Sequence, residues 1–137
     1  MKIYNLPITS ETSLLTVYTL ETGQISLLYS QGKEKPLGII KSVIATLVDY
    51  FSVIFSDSQL TEFSQTFYDK FYYWHLADLK RFMECCKGLN FGKPYGAVSV
   101  VTLMDWANNY DAERWLMINN LLKDEYQQLK AQEKHGL

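Results

Sequence analysis

The segment that decides the fold is residues 56–74, SDSQLTEFSQTFYDKFYYW. Ser56 and Gln59 at its start have the spacing of a capping box, in which each side chain satisfies a backbone N–H group at the beginning of a helix. Large apolar side chains then recur at intervals of three and four, which places them on one face of a helix. They are Leu60, Phe63, Phe67, Phe71 and Trp74. The segment predicts an amphipathic helix that packs its aromatic face against a core.

Upstream of this segment the pattern is also helical. We expect Pro36 to open an apolar helix, because proline is well tolerated at the first helical position. The expected core-facing stripe is Ile40, Val43, Ile44, Leu47, Phe51 and Ile54. The run from Leu37 to Phe55 is almost long enough to cross a bilayer, but Lys41 and Asp49 are too costly inside a span, so a buried core helix is favoured.

Downstream, two further helices are predicted. One runs from about Leu76 to Lys87, with Asp78 in its first turn, where a carboxylate suits the helix dipole, and Gly88 at its end. The other extends from about Val98 to Lys134 without an internal proline or glycine. Beyond Leu122 its residues are mostly polar, which predicts an end that projects from the body, pairs with a second copy or frays.

Residues 14–29 fit two interpretations. Thr16 to Thr19 has strand propensity, and Thr22-Gly23 could turn a hairpin into Ile25 to Tyr29. Ser10, Glu11 and the helical spacing that follows instead favour two short helices, and a lone hairpin is marginally stable. Two short helices are the favoured interpretation.

These patterns predict an all-α fold, a single-domain helical bundle of four to six helices with a long C-terminal helix. The 137 residues suit one domain with a real core. We expect residues 1–137 to form a single helical domain, with a core over about 10–122 and an exposed helix end or tail over 123–137. Apolar residues make up 47% and charged residues 20%, which is ordinary for a globular protein and argues against intrinsic disorder.

The composition also limits the location and chemistry of the protein. Cys85 and Cys86 are adjacent, which disfavours a disulfide, and no zinc or redox cysteine spacing occurs. Since the first residues lack a secretory signal, a cytoplasmic location is expected. Cys86 and His75 could form a pair in space, but a thiol on the apolar side of a helix is usually inert. We therefore expect no metal, no cofactor and no catalysis.

Acidic residues on the last helix give no better candidate for chemistry. Asp111 and Glu113 lie close to Arg114 in sequence, and Asp124-Glu125 lies next to Lys123. Such groups are usually solvated charges on a helix surface. That is the interpretation favoured here.

The connection after the third predicted helix is the strongest candidate contact site. Residues 87–96, KGLNFGKPYG, combine glycines, lysines and aromatic rings. An excess of basic over acidic residues falls here and on the preceding helix, whereas the whole chain has a net charge of −2. The spacing does not match a phosphate-binding loop. The candidate contact residues are Lys80, Arg81, Lys87, Gly88, Gly92, Lys93, Tyr95 and Gly96. The alternative is a simple reversal of the chain, with Phe91 and Tyr95 against the core.

Several motifs resemble those of an uncharacterised family of small proteins from phages and mobile elements of Bacteroides-type bacteria. They are Ser58-Gln59-Leu60, Tyr72-Tyr73, Leu76 to Leu79, Lys87-Gly88, Phe91 to Lys93, Tyr95-Gly96, Trp106, Tyr110 and Glu113-Arg114. The resemblance covers roughly Ser56 to Arg114 and implies a mobile-element context without a known activity.

Two functions follow as expectations. The first is a non-catalytic accessory protein that binds DNA, or a replication or host protein, through the 87–96 loop. The second is a structural or assembly protein that forms a homo-oligomer through residues 98–134. No membrane partner is expected.

Overall fold

The described part of the chain is all-α. The structure is a computed structural model that describes Ile25, residues 32–94 and residues 96–135. Four helices occur among these residues. They are α1 (Glu34–Tyr50), α2 (Asp57–Phe71), α3 (Leu76–Lys87) and α4 (Val100–His135). This confirms the predicted helical bundle with a long C-terminal helix, and no helix among the described residues is long and apolar enough to cross a membrane.

Helix α1 differs from its prediction at both ends. It begins at Glu34, so Pro36 lies inside the first turn and not at its start, in a region where backbone N–H groups still lack helical partners. It ends at Tyr50 because Ser52 adopts a left-handed conformation with φ 57°. The Val53 N–H then donates to the Val48 carbonyl at 2.8 Å and closes the end. Ile54, predicted to be in the core, is consequently 94% exposed.

Helix α2 forms as the sequence predicts. Ser56 Oγ accepts a hydrogen bond from the Gln59 N–H at 3.1 Å, and Gln59 Oε1 accepts one from the Ser56 N–H at 2.8 Å. This reciprocal pair confirms the capping box. Phe63, Phe67 and Phe71 are buried, and Leu60 is partly buried against them.

The centre of the core is aromatic. The Phe67 and Trp74 rings meet edge to face with centroids 5.2 Å apart, and Phe82 of α3 lies 5.6 Å from Trp74. Helix α4 completes the cluster with Tyr110, 4.8 Å from Trp74. Ile25 is also fully buried, and its N–H donates to the Trp74 carbonyl at 2.9 Å. The other residues of 14–29 lie outside the described part, so the choice between helices and a hairpin stays open.

Helix α3 has the predicted bounds but ends differently from the prediction. Gly88 is its C-cap with an ordinary φ of −81°, and the left-handed position falls on Leu89, with φ 55°. The Asn90 N–H donates to the Cys85 carbonyl at 3.0 Å, as in a Schellman motif. Leu89 packs its side chain partly against the core, which offsets the unfavourable backbone conformation.

Helix α4 begins at Val100, two residues after the predicted start at Val98. Leu103, Trp106, Ala107 and Tyr110 face the core, and α4 packs against α3. Ile118 and Leu121 are also buried, whereas every described side chain from Leu122 to Glu133 is exposed. The last turns of α4 therefore extend away from the core.

Candidate functional site

The predicted contact residues of the 87–96 loop are only partly available. Lys80, Arg81 and Lys93 are exposed. Lys87 is half-buried, and its Nζ lies 5.3 Å from the centre of the Tyr50 ring, a distance typical of a cation–π contact. Lys87 thus links the end of α3 to the end of α1. Tyr95 lies outside the described residues.

The three glycines of the loop have conformational or steric reasons to be glycine. Gly92 and Gly96 have φ of 97° and 79°, and an added Cβ at either would meet nothing within 4 Å. Their backbone conformation, and not crowding, favours glycine. At Gly88 an added Cβ would lie 2.9 Å from Asn90 Oδ1. Phe91 packs partly against the core, as the chain-reversal interpretation predicts.

Cys86 and His75 do not form a catalytic pair. Both are fully buried, and burial raises the pKa of the Cys86 thiol well above its usual value. Neither ring nitrogen of His75 has a hydrogen-bond partner among the described residues, and neither is hydrogen-bonded to the Cys86 thiol. Burial also raises the pKa of Cys85. Both thiols are free and remain protonated near neutral pH.

A buried polar group, the Asp78 cluster, joins α3 to α4; it consists of Asp78, Tyr110 and Arg114. The Tyr110 hydroxyl donates to Asp78 Oδ1 at 2.7 Å, and Arg114 Nε donates to Asp78 Oδ2 at 2.9 Å. The His75 N–H also donates to Oδ2, at 2.8 Å. Burial raises the pKa of Asp78, while Arg114 and these hydrogen bonds lower it. Removing one partner from such a group would leave an uncompensated buried charge.

Asp111, which follows Tyr110 on α4, makes a second polar connection, to Tyr73 and Trp74 just before α3. Its Oδ1 accepts hydrogen bonds from the Tyr73 hydroxyl at 2.7 Å and from Trp74 Nε1 at 2.9 Å. Burial and the bond to Asp111 raise the pKa of Tyr73 to about 12, which keeps the phenol protonated as the donor. The interpretation of Asp111 and Arg114 as solvated charges was therefore wrong. Their partners lie more than 30 positions away in sequence, beyond the reach of local spacing.

His75 lies beside the Asp78 cluster as the N-cap residue of α3. Burial, together with the positive charge of Arg114, lowers its pKa to about 4. The imidazole is therefore neutral at pH 7 and contributes packing volume to the core. Within the described part of the chain its two ring nitrogens have no hydrogen-bond partner, which lowers the stability of the fold.

An open groove of about 530 Å³ lies between α2 and the start of α4. Phe63, Val100, Val101 and Met104 form its apolar part, and Glu62 and Asp105 contribute carboxylates. None of Cys86, His75 and Glu84 lines it. Within the described ranges, no group of three or more His, Cys, Asp or Glu side chains is placed to hold a metal ion.

From Trp115 onward, α4 carries a row of large apolar side chains exposed to solvent. They form the α4 seam, which consists of Trp115, Leu122, Tyr126 and Leu129, with exposed fractions of 47%, 46%, 65% and 55%. Successive members are seven, four and three residues apart, so at 3.6 residues per turn they share one face. The sequence interpretation noticed only Leu129 among the polar residues here. The seven-residue spacing from Trp115 is the signal that it missed.

The α4 seam begins next to the two connections between α3 and α4. The Arg114 guanidinium lies 5.5 Å from the centre of the Tyr73 ring and 5.4 Å from that of Trp115. The Tyr73 and Trp115 rings are 5.7 Å apart. These contacts fix the direction in which the exposed part of α4 leaves the body.

Comparison of the chain with family models, curated proteins and solved structures finds no match. The resemblance to mobile-element proteins therefore stays a prediction.

Proposed function

We propose that this chain is a non-catalytic interaction protein that self-assembles through the α4 seam. The observation that carries the proposal is the alignment of Trp115, Leu122, Tyr126 and Leu129 on one exposed face. Contiguous exposed apolar side chains with polar surroundings mark association sites in proteins. A heptad-like spacing on a helix is the pattern that a second helix covers.

The surroundings of the α4 seam support this proposal. The flanking residues Lys123, Glu125 and Lys130 are exposed and charged, so the apolar row has a polar border. Such an arrangement keeps the free helix hydrated while its apolar stripe remains available for a partner. In this function the helical body holds the first part of α4, and the exposed part of α4 binds a second protein chain.

The test is sedimentation velocity over a range of protein concentrations. We expect wild-type protein to shift from monomer to dimer as concentration rises. Leu122→Glu places a charge in the α4 seam and should weaken the dimer by tenfold or more, about 1.4 kcal/mol or more. Ala131→Glu is the matched control, because Ala131 is exposed on the opposite face of the same turns. A wild-type protein that stays monomeric at every concentration would contradict the proposal.

A second candidate function is an anionic contact at the 87–96 loop. Lys80 and Lys93 support it, since both are exposed and neither forms an ion pair with another described residue. The partner would be DNA, or an acidic surface of a replication or host protein, as the resemblance to mobile-element proteins suggests.

Binding to a DNA duplex at several salt concentrations tests this second candidate. We expect Lys93→Ala to weaken binding and reduce its salt dependence. Lys70→Ala is the control, because Lys70 is an exposed cation on α2 whose Nζ lies over the Phe71 ring. No retention on DNA at low salt would remove DNA as the partner.

A further inference from the structure

We infer that the partner of the α4 seam is a second copy of this chain, bound as a parallel two-stranded coiled coil. The inference rests on the proposed self-assembly and adds its orientation and register. The polar and charged residues between and beside the four apolar side chains favour this orientation and register.

The α4 seam fits one heptad register. With Trp115, Leu122 and Leu129 at d positions, Asn119 and Tyr126 occupy the a positions, and all five are exposed. Glu133 would be the next a residue, and two facing carboxylates there would repel each other. The paired region therefore runs from Trp115 to Leu129, roughly 21 Å of helix.

Asn119 selects a parallel dimer. An asparagine at an a position meets its own copy across a parallel two-stranded coiled coil, where the two amides hydrogen-bond to each other. In an antiparallel pair, or in a shifted register, each amide would instead face an apolar side chain. A single buried asparagine is thus a device that fixes register and the number of strands at some cost in stability.

The flanking charges favour the same orientation. In this register Glu125 is a g residue, and Lys123 and Lys130 are e residues. In a parallel dimer each g residue faces the e residue five positions later in the partner, which pairs Glu125 with Lys130 twice by symmetry. In an antiparallel dimer the e residues face one another, so the lysines would repel.

The body of the protein leaves room for this arrangement. Core-facing residues of α4 such as Leu103 and Arg114 lie roughly 100° around the helix axis from the α4 seam, and Ile118, a buried g residue at the start of the paired region, lies on the same side as they do. A two-fold axis along the seam therefore places the two bodies on opposite sides of the helix pair. Leu116, 63% exposed at an e position, would add apolar contact beside Trp115.

The paired region is short, so a weak, concentration-dependent dimer is expected. Glu125→Lys and Lys130→Glu each place like charges across both edges of the parallel dimer. Each variant alone should raise the dissociation constant by about tenfold, as expected for two pairs switched from attraction to repulsion. In a heterodimer of the two variants, the new lysine at position 125 of one chain faces the new glutamate at position 130 of the other. The second edge keeps the original pair of Glu125 and Lys130, so both edges are complementary.

The experiment is sedimentation equilibrium on wild type, each variant and their mixture. We expect weakened self-association for each variant and recovery to the wild-type level in the mixture, as a heterodimer. All variants should have the far-UV circular dichroism and unfolding temperature of the monomeric wild type, because positions 125 and 130 are exposed. A stronger dimer for Lys130→Glu alone would establish an antiparallel pair and overturn the inference while leaving self-assembly intact.

Asn119→Leu gives an independent readout of register. A leucine at this a position should tighten association and allow species larger than the dimer. Unchanged association would show that position 119 is outside the interface and would overturn the register. A wild-type protein that never dimerises would remove both this inference and the proposed function.

Discussion

The two parts of α4 use side chains in opposite ways. Up to Leu121 the helix buries apolar residues and also buries Arg114, whose charge is paired with Asp78. From Leu122 to Glu133 apolar and charged side chains alike are exposed. The part of α4 up to Leu121, the bound part, contains polar groups where water is excluded. The part from Leu122 onward, the free part, presents apolar groups to water. Both are costly without partners, and among the described residues only the part up to Leu121 is covered by partners.

The largest effect on the part of α4 up to Leu121 is expected from replacing Asp78, the carboxylate that pairs with Arg114. Asp78→Ala leaves the Arg114 charge and the Tyr110 hydroxyl without this acceptor inside the protein. We expect a loss of about 3–5 kcal/mol in the free energy of unfolding, measured by urea denaturation.

Asp105→Ala is the control for that loss, because Asp105 is an exposed carboxylate on α4, the helix that carries Tyr110 and Arg114. It should change the free energy of unfolding by less than about 0.5 kcal/mol. A loss below about 1 kcal/mol for Asp78→Ala would mean that the buried cluster does not hold α4 to α3.

The buried His75, at the start of α3, makes the stability of the core sensitive to acid. Its pKa is lowered from 6.5 to about 4 in the folded protein, so between these values the unfolded chain binds the proton first. The stabilisation from a neutral His75 is complete above pH 6.5 and is lost as the pH falls toward 4. The loss amounts to up to about 3 kcal/mol.

His75→Leu should remove this dependence and should not destabilise the protein at pH 7, because it also removes two buried nitrogens that no described residue hydrogen-bonds. The measurement is the difference in unfolding free energy between wild type and variant at several pH values. Asp78, with a pKa raised by burial, titrates with the opposite sign in both proteins and cancels in the difference. A difference that does not vary with pH would show that His75 is not the group responsible.

The smallest effect comes from helix propensity in the two parts of α4. Asn109→Ala and Asn120→Ala both replace an exposed asparagine by the best helix former, worth about 0.5 kcal/mol. At Asn109 the gain should appear in global unfolding, because that turn belongs to the core. Thermal unfolding followed at 222 nm, with amide exchange for local stability, measures both.

At Asn120 we expect a gain that is mainly local, because the turns that follow it are exposed. Equal gains in the global unfolding of both variants would show that α4 melts as one unit, and the distinction between its two parts would then fail.

Local sequence signals were sufficient for α2 and α3. The capping box at Ser56 and the phenylalanine spacing lie within a few turns, so the residues that specify these helices are also the residues that form them. The end of α1 was missed because Ser52 takes a left-handed conformation without glycine. The hydrogen bond from the Val53 N–H to the Val48 carbonyl that closes this end is not visible in the sequence pattern.

The candidate sites were harder to predict than the helices. Arg114 and Asp111 look like surface charges because their partners, Asp78 and Trp74, are distant in sequence. The α4 seam was not predicted for a different reason, because its four apolar residues are separated by mostly polar residues along the sequence. Which face of α4 the body leaves uncovered is a property of the packed bundle, and sequence spacing alone does not supply it.

Amide hydrogen exchange along α4 at low and high protein concentration tests the central claim most directly. Dimerisation through the α4 seam predicts that amides from Leu122 to Leu129 exchange more slowly as concentration rises. Those from Leu103 to Arg114 should be slow at every concentration, because that part is held by the core. Exchange between Leu122 and Leu129 that is equally fast at both concentrations would contradict self-assembly through this face.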